Sequence, residues 1–127
     1  MIKLNNIMNT PTMIKNLPFY PFTNVNKIGL LVNDVIKMYN IHEIIYLEGN
    51  RNYTNIITIN ESILISKTLN KVHLKLPDTF VRVHKSYVLN INLCYYFDLK
   101  QRQVMMVNQK IIPVSIRLKK NLETFVI

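Results

Sequence analysis

Along most of the chain, apolar positions fall in short runs that alternate with polar ones, a period of two that predicts strands. Residues 27–33 and 35–38 are apolar-rich and meet at Asn33-Asp34, a polar pair that accepts positive φ in a tight hairpin turn. The run Ile-Ile-Tyr-Leu-Glu at 44–48 reads as a buried strand ending at Gly49. After a polar loop at 49–52, Tyr53, Asn55, Ile57 and Ile59 point one way and Thr54, Ile56 and Thr58 the other. Asn60-Glu61-Ser62 predicts a turn into a strand over 63–65. The period then changes. Leu69, Val72 and Leu76 recur at helical spacing with Lys67, Lys71 and Lys75 between them, which predicts an amphipathic helix capped by Ser66 and stopped by Pro77. Strands are predicted again over 79–83 and 87–89, then a hairpin of 93–99 and 103–107 about Lys100-Gln101-Arg102. A turn at Asn108-Gln109 leads into 110–115, and 116–126 closes the chain as a short helix or final strand. Eight or more short strands with one or two short helices make a mostly-β domain.

Residues 1–25 do not share this pattern. Asn5, Asn6, Asn9, Thr10, Pro11, Asn16, Pro18 and Pro21 interrupt every periodicity there, so the segment reads as a leader, poorly structured or packing on the domain. Its aromatic cluster, Phe19, Tyr20 and Phe22, is suited to fold back onto the domain or onto a partner. The remainder, 26–127, is one domain.

Composition agrees. The 127 residues include 18 isoleucines, 17 asparagines and 7 tyrosines but neither alanine nor tryptophan, which disfavours a helical bundle and suits pleated, half-buried surfaces. A chain of this size buries roughly two-thirds of the surface its unfolded form exposes, enough for a core without staples. The single cysteine, Cys94, cannot form an internal disulfide; it sits in an apolar strand and reads as a small packing residue. No stretch approaches the ~20 apolar residues that span a bilayer, and the N-terminus has no secretory apolar core, so the cytoplasm is the expected compartment.

Catalytic and cofactor chemistry finds no footing. His42, His73 and His84 are far apart and share no metal-ligand spacing, and the seven acids are solitary. Two glycines, Gly29 and Gly49, cannot build a phosphate-cradling loop. No enzyme activity, cofactor, metal or small-molecule substrate is therefore expected. A nuclease with His84 as base would lack any paired acid.

Charge points elsewhere. Sixteen Lys and Arg stand against seven Asp and Glu, a net charge of +9. Up to residue 60 there are five bases and three acids; beyond it there are eleven bases and four acids, so +7 of the +9 lies in the second part. Those bases recur at strand ends and turns, as a folded basic face does, and such a face suits a polyanion, most often nucleic acid. A basic surface that is merely solvated, inflated by AT-rich codon usage, is the plain alternative. On that reading the domain is a β-rich protein-interaction module.

Three segments narrow the choice: Ile-Ile-Tyr-Leu-Glu-Gly-Asn-Arg-Asn-Tyr-Thr at 44–54, Phe-Val-Arg-Val-His-Lys-Ser-Tyr-Val-Leu-Asn at 80–90, and Ile-Pro-Val-Ser-Ile-Arg at 112–117. In this order, with the Leu76-Pro77 helix stop between the first two, they resemble the LytTR DNA-binding domain of bacterial transcription regulators. The resemblance covers about 26–127. It implies an elongated stack of small antiparallel sheets with one or two short helices, which reads successive major grooves of double-stranded DNA through loops, at direct-repeat half-sites and with a homodimer on DNA as one option.

Carried over, the resemblance offers Asn50, Arg51, Asn52, Thr54, Lys85 and Arg117 as base contacts. It is also compatible with phosphate contacts from His84, Ser86, Lys100, Arg102, Lys119 and Lys120. The chemistry fits: Arg117 presents two parallel donors to guanine O6 and N7, asparagines pair with adenine, and Lys85 reaches guanine or a phosphate. Arg82, alternating with Phe80 and His84, reads equally as a half-buried backbone partner and as a DNA contact. Asn90 reads as a turn residue, and Tyr46 and Tyr53 as core or loop packing. Two departures stand out. Lys85 replaces a usual Arg, trading a fork for a point charge, and Gly49 replaces a usual Ala, which predicts a looser first loop. A receiver domain, present ahead of this domain in many relatives, does not fit in the leader, so the chain is expected to be a stand-alone regulator or a piece of a longer one.

Overall fold

The computed structural model describes residues 26–127; the leader at 1–25 lies outside the described residues. Ten strands form three antiparallel sheets. β1 (Lys27–Val32) and β2 (Val35–Asn40) make a hairpin whose turn residues, Asn33 and Asp34, both have positive φ, 51° and 64°, as the sequence predicted. The central sheet contains β3 (Ile44–Asn50), β4 (Tyr53–Thr58), β5 (Ser62–Ile65), β6 (Phe80–His84) and β7 (Tyr87–Asn90), in the order β5-β4-β3-β7-β6. The third sheet holds β8 (Cys94–Asp98), β9 (Gln103–Met106) and β10 (Ile111–Pro113), in the order β10-β9-β8.

The central sheet is covered on both faces. One face packs Ile45, Val81, Val83 and Leu89 against Val104, Met106, Ile112 and Val114 of the third sheet and its exit, with Leu122. The other packs Ile44, Leu47, Ile56, Phe80 and Val88 against Leu30 of the first hairpin and against Leu69 and Val72 of helix α1 (Leu69–His73). This double burial explains why Ile44, Ile45, Tyr46 and Leu47 form an unbroken apolar run: a strand with two covered faces has no solvent side on which to place polar residues. The mostly-β stack of small antiparallel sheets with two short helices matches the predicted class.

Two local predictions need correction. α1 is capped by Thr68, whose Oγ1 accepts the Lys71 N–H at 3.3 Å, and not by Ser66. Ser66-Lys67 is still leaving β5, with the Lys67 carbonyl held by the Thr54 hydroxyl at 2.7 Å, so helical geometry begins only beyond it. Nor is Gly49 a loosening residue. A Cβ there would lie 2.9 Å from Leu69 Cβ, so the missing side chain is what lets α1 pack down on β3.

Asn90, 1% exposed, donates from Nδ2 to the Ile44 carbonyl at 2.9 Å and accepts the Asn92 N–H at 3.0 Å. It fastens the end of β7 to the start of β3, a structural role as expected. Cys94 is half-buried against the core between the central and third sheets, its thiol pushed up by burial. The closing segment forms α2 (Lys120–Glu123), which buries Leu122.

Candidate nucleic-acid interface

Three loops converge at one end of the molecule because strand register places them there. β3 and β4 pair as far as Asn50 with Tyr53, leaving Arg51-Asn52 as a two-residue turn with Arg51 at φ 58°. Glu48 pairs with Tyr87 and the Gly49 N–H donates to the Ser86 carbonyl at 2.8 Å, so the Lys85-Ser86 turn of β6–β7 lies beside the root of the Arg51 turn. The third loop crosses between sheets. After β10, the Val114 N–H donates to the Arg102 carbonyl and the Ser115 N–H to the Val83 carbonyl, both at 2.9 Å. That crossing brings the β8–β9 turn, with Lys100 and Arg102, to the same end. Ser115 then caps a turn, its Oγ accepting the Leu118 N–H at 3.1 Å, and leaves Arg117 exposed.

The side chains divide clearly. Asn50, Arg51, Asn52, Lys85, Arg117, Lys100, Arg102 and Lys120 are exposed, and His84, Ser86 and Lys119 are half-buried at the same end. Thr54 is the correction. It is fully buried at 0% exposure, and its hydroxyl is committed to the Lys67 carbonyl, so it belongs to the scaffold beneath the first loop and not to the surface. The period-two pattern already put it on the face of Ile56 and Thr58, which is the buried one. Tyr53, read as packing, is instead 49% exposed at the foot of the Arg51 turn.

The second loop is held tightly. His84 Nδ1 accepts the Ser86 N–H at 3.1 Å, which in the neutral ring leaves the proton on Nε2. Arg82 donates from Nε to the His84 carbonyl at 2.8 Å, from Nη2 to the Lys85 carbonyl at 2.5 Å and from Nη1 to Asn70 Oδ1 at 2.6 Å. Burial, and after it the nearby charge of Arg117, pulls the Arg82 pKa below the ordinary arginine value. The structural reading of Arg82 therefore prevails. Sequence reasoning had no signal for Asn70, which is twelve positions away on another element.

Beneath the loops, the Tyr87 hydroxyl donates to Glu48 Oε2 at 3.2 Å. Lys110 Nζ sits 5.9 Å from the Tyr46 ring centre and 5.7 Å from that of Tyr87. Burial first and the Glu48 charge second raise the pKa of both tyrosines, so both stay neutral and Tyr87 remains a donor. Lys110, one of the bases of the second half, is thus occupied with aromatic faces and is half-buried. Asp98 is also engaged, accepting the Gln101 N–H at 3.0 Å. Among the described residues there is no group of three or more potential metal ligands, and no helix is long and apolar enough to cross a membrane.

Arg51 carries a backbone cost. A non-glycine residue in the left-handed region is disfavoured by about 1 kcal/mol or more. Arg51→Gly relieves that cost but adds glycine's larger loss of backbone entropy, so it is expected to raise stability by about 0.5 kcal/mol in urea denaturation while lowering affinity for duplex DNA. Movement of both quantities in the same direction would contradict the assignment of this turn as a binding element held at a conformational cost.

Known proteins share parts of this sequence and its fold. Residues 34–126 match the family model described as LytTr DNA-binding domain. Over 66 residues, 51% of this chain, the sequence is 36% identical to the sensory transduction protein LytT of Bacillus subtilis (strain 168), and the aligned stretch spans 27% of that protein's length. The fold is similar to the LytTr DNA-binding domain of a methyl-accepting/DNA response regulator from Bacillus cereus, with a TM-score of 0.67 and 21% identity over 80% of this chain and 96% of that one. With the family model spanning all but the first of the ten strands and the quoted motifs lying at the loop end, the chain belongs to the LytTr DNA-binding domain family, a family of DNA-binding domains and not of enzymes.

Proposed function

We propose that this chain is a sequence-specific transcription regulator that reads double-stranded DNA through its loops, with Asn50, Arg51, Asn52, Lys85 and Arg117 at base edges in the major groove. His84, Ser86, Lys100, Arg102, Lys119 and Lys120 set the register on phosphates, which fixes orientation without reading sequence. The observation that carries this reading is the convergence of three loops at one end through the Gly49–Ser86 and Ser115–Val83 hydrogen bonds. Loops from adjacent strands place long, exposed donors side by side with no helix between them and the groove. Two copies would lie on direct-repeat half-sites, as a homodimer on DNA or as independent neighbours.

Selection from a random duplex library tests this. The expected product is a short motif recurring in the same orientation, with copies centred about one helical turn or a multiple of it (~10 bp) apart. A library that emerges unenriched would refute sequence reading. A second reading, as a protein-interaction module, draws on the exposed apolar positions Leu31, Ile36 and Met38 of the β1–β2 hairpin. It predicts no retardation of random duplex at micromolar protein, where non-specific DNA binding would already appear.

A further inference from the structure

The β6–β7 ladder is irregular at a telling place. Arg82 pairs with Val88 and His84 with Tyr87, so Val83 is an extra, unpaired residue, a bulge. Its side chain stays in the core, and its carbonyl, turned out of the ladder, accepts the Ser115 N–H that anchors the Arg117 loop. The next two carbonyls, of His84 and Lys85, are caught by Arg82. Arg82 is in turn anchored at both ends: Nη1 reaches Asn70 Oδ1 on α1, and its own carbonyl accepts Asn121 Nδ2 of α2 at 2.8 Å. One arginine thus joins the second loop, α1 and the segment that follows Arg117.

We propose that Arg82 and Asn70 form a clamp that positions Lys85 for base reading, Arg82 acting through the loop backbone and not by touching DNA. The proposal rests on the DNA-reading function given above. A guanidinium is suited to the task because its rigid fork holds two backbone carbonyls and a side-chain amide in one plane, which an ammonium cannot do. An arginine binding a phosphate behaves differently, since whatever its replacement by lysine costs falls equally on both duplexes.

The test uses the full chain, titrated by fluorescence anisotropy onto the selected duplex and a scrambled duplex of equal length over a salt series, with the thermal midpoint followed for each variant. Arg82→Lys is expected to lower the ratio of selected to scrambled affinity by about fivefold to a hundredfold, the worth of one base contact, while leaving scrambled affinity and salt slope unchanged. Asn70→Ala, at an exposed position of α1, is expected to lower the same ratio by a smaller factor. In a Lys85→Ala background, Arg82→Lys is expected to have no further effect on the ratio, because a residue acting through Lys85 has nothing left to position.

An unchanged ratio in Arg82→Lys, or additive losses in the double variant, would overturn the clamp. So would equal losses on both duplexes. A wild-type chain indifferent to the two duplexes would instead refute the DNA-reading function itself.

Discussion

Arg117→Ala is expected to remove most of the preference for the selected duplex, lowering affinity for it by roughly tenfold to a hundredfold while changing affinity for random duplex only two- to threefold. The reason is geometric. Arg117 is exposed just after the capped Ser115 turn, and the Ser115–Val83 hydrogen bond holds that turn against the Lys85 loop. On the proposed base-reading role, a bidentate guanidinium at that point would discriminate guanine from other bases, and alanine would leave the guanine acceptors without donors. Lys119→Ala provides the contrast. Lys119 is half-buried beside α2 and is suited to a phosphate, so its loss should weaken both duplexes by the same factor and flatten the salt slope by about 0.9. Equal behaviour of the two variants in paired titrations would invalidate the division into base-reading and phosphate-binding residues.

Salt carries the second large effect. If the four cationic candidates for phosphate contact, Lys100, Arg102, Lys119 and Lys120, each neutralise one phosphate, affinity should fall by roughly a hundredfold between about 50 and 200 mM salt. The structure also says which bases should not contribute. Lys110 lies over the Tyr46 and Tyr87 rings, and Arg82 is engaged with Asn70 and two carbonyls, so neither is free to pair with a phosphate. The slope should therefore fall well short of the net charge of +9. A flat titration would rule out phosphate neutralisation as the main source of affinity. A slope that steepened on returning Lys110 to solvent, as in Tyr87→Ala, would agree with its assignment to the rings.

Local patterns in the sequence were legible where one physical demand governed them. Asn33-Asp34 announced its turn because few residues accept positive φ twice in succession, and the unbroken run at 44–47 announced a strand covered on both faces. The sheet class followed from the absence of alanine and the abundance of isoleucine. The candidate site was legible only through motif resemblance, and there the resemblance and the pattern disagreed once. Thr54 alternates with Ile56 and Thr58 on the buried face, and the pattern was the better guide. What stayed hidden depends on distance in sequence. Neither the Arg82–Asn70 bond nor the Gly49–Leu69 approach has a local signature, because each joins elements whose contact exists only after the sheet has formed. The helix cap was missed for a related reason: Thr54, far up the chain, holds Lys67 and delays the helix to Thr68.

The register of Glu48 against Tyr87 sets what substitution at the loop tips can and cannot alter. Adjacent strands stand about 4.8 Å apart, so the offset between the Arg51 turn and the Lys85 turn is locked by the ladder and cannot be adjusted by either turn alone. Inserting one residue into β3 would send every following core side chain of that strand to the opposite face. Side chains at the tips, by contrast, can be exchanged without disturbing the sheet beneath. On the proposed DNA-reading function, exchanging tip side chains would alter which bases are read, while the spacing between the two turns would stay fixed by the ladder beneath them.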